Sequence, residues 1–469
     1  MTTPYDTVTY PTVVHTSMHP ERLAVAARLA GLDPVPLEQA RVLEIGGGSC
    51  FGLIAFAAAY PGSSCCGFDL AASAIARGQE LAGGDVPNLT LEVADIMTAH
   101  EHYAAGSFDY VIAHGVYAWV PEPVRRALME LVGHVLSDRG VACVSYNAMP
   151  GGHIRLIMRD TVLHAVAGID DPQERIAQAY AFLEAFAEPQ EGDEPLQLVL
   201  RKHAEMMAGR PANVLFHDEM GECFAPQSLT EVVRAAQAVG LGFLTDVGRN
   251  RNFDGFLTMD AGDGTDPDEE VLRVAQARDY RDICFFRATL LVRITAPVDR
   301  RIDPTRIDDL WIDAQFEALS DGEFKQGDDR FAISDPQLAL ALAGLAAIRP
   351  GRRPVREIAT NDDQRHALLG LYKSWYASFH LGPSPFVLAP GAKPETSAWA
   401  RGLLKRQEPD VVSLANKQMR IDQPELRALL IAADGSHSMA ELAALDHGIP
   451  SDQVEAALQA AARQALLVR

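Results

Sequence analysis

The first third of the chain alternates short apolar runs with longer stretches whose apolar positions recur every three or four residues. Residues 20–31 (PERLAVAARLAG) carry that helical spacing behind a proline start. Arg41–Ile45 is a short apolar run that reads as a strand, and a glycine-rich turn and a helix over Gly52–Tyr60 follow it. The rhythm then repeats with strand Cys65–Leu70, helix Ala71–Leu81, strand Leu89–Asp95, strand Phe108–His114, a helix from Pro123 to Leu136 and strand Val141–Asn147. Strands that alternate with helices at this pace predict an α/β fold, a parallel doubly wound sheet with right-handed crossovers.

Past Pro150 the pattern changes. Residues 153–187 and 195–209 read as helical on either side of a polar break at 188–195. A mixed segment, Phe216–Phe224, precedes a helix near 227–239 and a strand over Gly242–Val247. An acidic loop, Asp260–Glu270, leads through a helix to the apolar strand Thr289–Thr295. A further unit spans 300–405, with Pro/Gly-rich breaks at Arg349–Pro354 and Gly382–Pro394. The tail, 424–469, holds three helix-like segments in the manner of a winged-helix or helix-turn-helix core.

Composition narrows the functional classes. At 469 residues the chain exceeds one core and should divide into several domains. We expect four: 1–152 around the sheet, a helical insertion at 153–215, an α+β region at 216–298 and a C-terminal unit at 299–469. The 48% hydrophobic content suffices for buried cores. With no long apolar run and no basic-then-apolar leader in MTTPYDTVTYPT, a cytoplasmic protein without membrane partners is expected. The net charge of −22 repels polyanions and argues against nucleic acid as a partner, while a cationic partner suits it. The tail shares that sign, with six acids against three bases in 424–469, so it reads as a docking module rather than a DNA reader. The six cysteines (Cys50, Cys65, Cys66, Cys143, Cys223 and Cys284) form no ligand-spaced cluster, so neither metal nor disulfide is expected.

The sharpest chemical signal is Glu44-Ile-Gly46-Gly47-Gly48-Ser49-Cys50-Phe51-Gly52, directly between a strand and a helix. Glycines there let the backbone turn tightly and approach a ligand, although such loops also carry glycine for packing alone. Asp69 ends the second strand, where an acid binds ribose hydroxyls, and Asp95 follows the third, where an acid accepts from an adenine amino group beside Ile96. Glu44 decides between cofactors. A dinucleotide pyrophosphate avoids a neighbouring acid. S-adenosyl-L-methionine (SAM) has no phosphate, carries an ammonium and a sulfonium, and suits one.

The ordered set VLEIGGGS, GFDL and VAD, then Ile112–Pro121 and Ser145–His153, resembles class I SAM-dependent methyltransferases with a Rossmann-like sheet. More narrowly it is similar to those carrying a methyltransferase regulatory domain, the group of the rickettsial-type protein lysine methyltransferases. His19-Pro20, Phe216–Met220, Arg281–Arg293, Leu414–Asn416 and Leu429–Gly435 extend the likeness, so it covers most of the chain. Two positions depart from the pattern: Cys50 holds the place of the signature's last glycine, and Gly152 a place where relatives often carry an aromatic.

The resemblance implies that Glu44, Gly46, Gly47, Gly48, Asp69 and Asp95 hold SAM, with Leu70 and Ile96 packing on it and His114, Gly115 and Val116 facing the methyl. It implies S-adenosylhomocysteine as product, a homodimer built on the helical insertion, a regulatory α+β domain and a winged-helix-like tail. Tyr117, Trp119 and His114 become the catalytic candidates; Tyr117, Trp119, Tyr146, Asn147, His217 and Asp218 become those for the acceptor. A lysine acceptor must shed a proton, at a cost of about 4 kcal/mol from a pKa near 10.4, and aromatic walls would help by desolvation and by cation–π contact with the product. Methylation of protein lysines leads this reading. A small-molecule N- or O-methyltransferase and a non-catalytic regulator with an interaction tail stand beside it.

Overall fold

The computed structural model describes residues 8–248, 251–257, 266–320 and 322–469. Residues 260–265 of the acidic loop fall outside them. The chain builds a seven-stranded sheet from β1 (Arg41–Ile45), β2 (Ser64–Asp69), β3 (Leu89–Val93), β4 (Phe108–Ala113), β5 (Leu136–Asn147), β6 (Leu241–Asp246) and β7 (Phe286–Arg293). Their order is β3-β2-β1-β4-β5-β7-β6. The first five strands run parallel, and β7 lies antiparallel between β5 and β6. Reversal after β1 creates a switch point at the sheet's carboxyl edge, where ligands bind in such folds.

The sheet therefore does not close at residue 152. Its last two strands come from the stretch that the sequence pattern assigns to the middle α+β region. The reason is edge protection. Val141, Ala142, Cys143 and Val144 of β5 are buried, and an apolar strand of this kind needs a neighbour along its free side. Arg287 of β7 fixes that added pair. It is fully buried and ion-paired with Asp246, Asp254 and Asp279 at 2.8–3.3 Å.

Flanking the sheet are α1 (Pro20–Leu29), α2 (Phe51–Ala59), α3 (Ala72–Ala82) and α4 (Glu122–Val135). The long helical reading over 153–187 resolves into α5 (Gly151–Ala165) and α6 (Pro172–Ala187), because Asp171 accepts from the Gln173 and Glu174 N–H groups and starts a new helix at Pro172. Next come α7 (Pro195–Ala208), α8 (Ala212–Met220), α9 (Leu229–Gln237) and α10 (Pro267–Asp282); helices α5 to α8 share a core of their own.

The C-terminal region packs onto the sheet's α1–α3 side. It contains two three-stranded sheets, the hairpin Asp410–Val412 with Gln418–Arg420, and helices at Pro424–Ala432, Met439–Ala444 and Val454–Arg463, as the spacing of the tail predicts. One hydrophobic cluster runs from α1 and α2 into this region. Trp399 packs edge-on against Phe51 and donates its indole N–H to the Leu81 carbonyl at 2.9 Å. Glu21 of α1, buried, is held by His380 at 2.8 Å and by Arg352 at 3.2 Å. No described helix is long and apolar enough to cross a membrane.

The segment before α1 is the least expected part. Residues 8–18 run across the sheet's carboxyl edge as a strap. At one end His217 donates to the Val8 carbonyl and Asn213 to the Thr9 carbonyl, both from α8. At the other, the Gln418 amide donates to the Thr12 carbonyl and accepts from Val14 N–H.

Candidate active site

A cavity of about 920 Å³ lies outside the carboxyl ends of β1 to β5. The loop after β1 forms its floor. Gly46 and Gly48 take φ of +63° and +57°, conformations that disfavour side chains. A Cβ on Gly46 would also come within 2.6 Å of Val116. Cys50 adopts the same left-handed geometry at φ +52°, at a cost of about 1 kcal/mol for a residue with a Cβ. Its buried thiol fits because Gly67 on β2 has no side chain; a Cβ there would lie 2.7 Å from the Cys50 Sγ. So the missing glycine of the signature is replaced without loss of the loop's shape.

Three acids converge on this floor. Glu44, Asp69 and Asp95 all line the one cavity. Burial, assisted by the charge of Asp69, pushes the Glu44 carboxyl up to about 7, and its Oε2 is buried without a hydrogen-bond partner. Asp69 accepts from Gly48 N–H and from Ala71 N–H, both at 2.8 Å. Burial raises its carboxyl despite those bonds. Asp95 is exposed to the cavity and accepts from Met97 N–H at 3.0 Å. Leu70 and Met97 are 49% and 43% exposed at the same wall, an apolar surface beside polar anchors.

At the other end, His114 follows β4. Ser145 accepts from Gly115 N–H at 3.0 Å and shares a hydrogen bond with His114 Nδ1 at 2.8 Å, which fixes the ring's orientation. Burial, with neighbouring His15 adding to it, lowers His114 to about 3. The ring is therefore neutral. His15, from the strap, lies over it with ring centroids 4.1 Å apart, and Phe286 of β7 meets it edge-on at 6.0 Å. Trp119 reaches the cavity, yet its ring is already packed against Phe224 at 4.8 Å and lies under the Arg155 and Arg159 guanidinium groups. Asn147, His217 and Asp218 line the same space.

Two expected residues stay out of it. Tyr146 is 1% exposed and bonds Thr289 at 3.0 Å, and Tyr117 packs beside it, 4% exposed. Both point into the sheet's core, because β5 and the turn after β4 are covered there by neighbouring strands and α4. Gly152 has a similar explanation: a Cβ would sit 2.5 Å from Pro226, leaving no room for an aromatic. The pattern reading also missed His15, Phe286, Arg155, Ser145, Arg77 and Asn416. Ser145, Phe286 and Asn416 fall inside the stretches that carry the family likeness; the others gave no local signal.

A doubly wound sheet ordered 3-2-1-4-5-7-6, with three strand-end acids around one pocket, fits a class I SAM-dependent methyltransferase. The residues fit the cofactor: an unpartnered buried carboxylate oxygen for a cationic group, a glycine cradle, and the Asp69 and Asp95 carboxylates for hydroxyl and amino donors. Once bound there, SAM supplies an electrophilic methyl on a sulfonium. Comparison with known proteins agrees. Residues 42–140 match the family described as a methyltransferase domain. An uncharacterized protein of Rickettsia prowazekii (strain Madrid E) is 29% identical over 50% of this chain and 93% of its own length. A second protein of that organism is 28% identical over 64% of this chain and 54% of its own. The structure of PKMT2 from Rickettsia typhi in complex with AdoHcy shares the fold over 98% of this chain and 100% of that one, with a TM-score of 0.80 and 21% identity. The chain is thus a SAM-dependent methyltransferase whose fold is shared over nearly its whole length with a rickettsial structure.

Proposed function

We propose that this enzyme transfers the methyl of SAM to the ε-amine of lysine side chains on a protein. The observation that carries the reading is the make-up of the acceptor end. Its walls come from the strap, α5, α8 and β7 (His15, Arg155, His217, Asp218, Phe286) rather than from the methyltransferase sheet's own loops alone. A cavity of about 920 Å³ is at the upper end for small-ligand sites and accommodates a side chain delivered beside the cofactor. The acidic surface of the chain suits a cationic acceptor. The shared fold with PKMT2 supports the same direction.

The strap favours a second reading. By crossing the mouth it narrows entry, and a small metabolite would pass more easily than a folded protein. Tritiated SAM offered to the enzyme with lysate proteins and with small-molecule extract separates the two. Label should enter protein and emerge as methyl-lysine after acid hydrolysis; label confined to the small-molecule fraction overturns the first reading.

A further inference from the structure

We infer that His15, carried on the N-terminal strap, is the group that takes the proton from the acceptor amine. The inference rests on the amine-acceptor reading above. An amine that arrives as an ammonium has no lone pair to offer, so a proton must leave before the N–C bond forms. The amine then attacks the methyl carbon; the C–S bond breaks, its electron pair stays on sulfur, and the product leaves as a methylammonium. The proton passes to a ring nitrogen of neutral His15 and from there to water.

Elimination leaves His15 in this role. His114 lies nearer the sheet, but its Nδ1 is engaged by the Ser145 hydroxyl at 2.8 Å and burial, with His15 beside it, makes it a poor proton acceptor. His217 is buried and donates to the Val8 carbonyl. Asp218 is engaged by Arg155 at 3.2 Å, by Arg210 at 3.5 Å and by the Tyr10 hydroxyl at 3.4 Å. Tyr117 lies in the core, remote from the lining. The His15 ring, by contrast, has no hydrogen-bond partner among the described residues, although its backbone position just before the short helix Thr16–Met18 would allow it to cap that helix. It lines the cavity against His114, at the end of β4 where the methyl is expected.

Its surroundings keep it neutral and ready to accept. Burial lowers its pKa below the ordinary value. Facing it are His114 from β4, with Arg155 of α5 and Asp218 of α8 at the same end. Glu44, Asp69, Asp95 and Arg77 lie at the cofactor end, and His19, further along the strap, is held near 4 by burial. Val14, the preceding residue, is fixed by Gln418, so the ring is delivered by a braced backbone rather than a loose end.

Initial rates of the full chain with SAM and poly-L-lysine, from pH 6 to 10, test this. His15→Gln should lose about 100-fold in kcat near neutral pH, the usual contribution of a positioned base, and regain rate as pH rises toward the amine's own pKa. AdoHcy affinity by calorimetry should stay within about twofold of the unaltered enzyme, which shows that the pocket is intact. In ring-resolved NMR of the unliganded protein, His15 should titrate below 6.5 and His114 should remain neutral across that range. If His15→Gln fails to fold, His15→Asn replaces it in the same measurements. A loss that is equal at every pH, or no loss, overturns the inference. No transfer to poly-L-lysine by the unaltered enzyme overturns instead the amine reading beneath it.

Discussion

The two ends of the cavity are built differently. At the cofactor end, Glu44, Asp69 and Asp95 stand at the ends of three consecutive strands, and main-chain N–H groups of the adjoining loops hold Asp69 and Asp95. At the acceptor end, His15, Asn147, Arg155, Asp218 and Phe286 come from five separate stretches and meet only because the whole chain has folded. One end is a local property of a strand–turn–helix pattern. The other is a tertiary property, held by side chains such as Gln418, Ser145 and Arg155.

That contrast can be broken first where it is strongest. Asp69→Ala removes a carboxylate that accepts from Gly48 N–H and from Ala71 N–H, so SAM affinity by calorimetry should fall at least about 100-fold, in keeping with ~3 kcal/mol for a charge-assisted pair. Unchanged affinity would mean that the ribose is held elsewhere. Gln418→Ala, far from the sheet, should leave AdoHcy affinity within a few-fold and lower kcat about tenfold, the order expected when a reacting group is misplaced by a fraction of an ångström. An equal loss at both ends would erase the distinction.

Legibility followed the same division. The α/β fold with its parallel doubly wound sheet and the three acids could be read from spacing, because apolar runs, glycines and strand-end acids are neighbours in sequence. Arg155 and His15 could not, since nothing around them in the chain differs from an ordinary helix or loop. Tyr117 and Tyr146 misled for a related reason. Tyr146 lies within β5, where side-chain direction alternates and the packing of β7 decides which face is inside, and Tyr117, in the short helix after β4, packs beside it. Trp119 is an intermediate case: it reaches the cavity, but the Arg155 and Arg159 guanidinium groups already cover its ring.

Glu44 sharpens the comparison by pH. A carboxyl raised to about 7 by folding contributes stability below its ordinary range and loses it as pH climbs through 7. The unliganded protein should therefore show a falling thermal midpoint from pH 5 to 7.5, and Glu44→Gln should flatten that slope. A cationic cofactor favours the ionised form, so SAM binding at pH 7 should release about half a proton, measured by calorimetry in buffers of different ionisation enthalpy, and release less at pH 8.5. The smallest effect belongs to the core. Tyr146→Phe removes one buried hydrogen bond to Thr289 and should cost about 1 kcal/mol in urea unfolding, with turnover changed less than twofold. A large loss of turnover would return Tyr146 to the site.

The tie between Gln418 and the backbone at Thr12 and Val14 has a consequence for the order in which the enzyme matures. The segment at Thr12 and Val14 must wait for one some four hundred residues further on before it is locked over the pocket, and a contact of that sequence separation is among the slowest a chain can make. The cofactor floor, by contrast, needs only the first few strands. The last part of the pocket to be fixed is thus its acceptor end, as a single closing stitch.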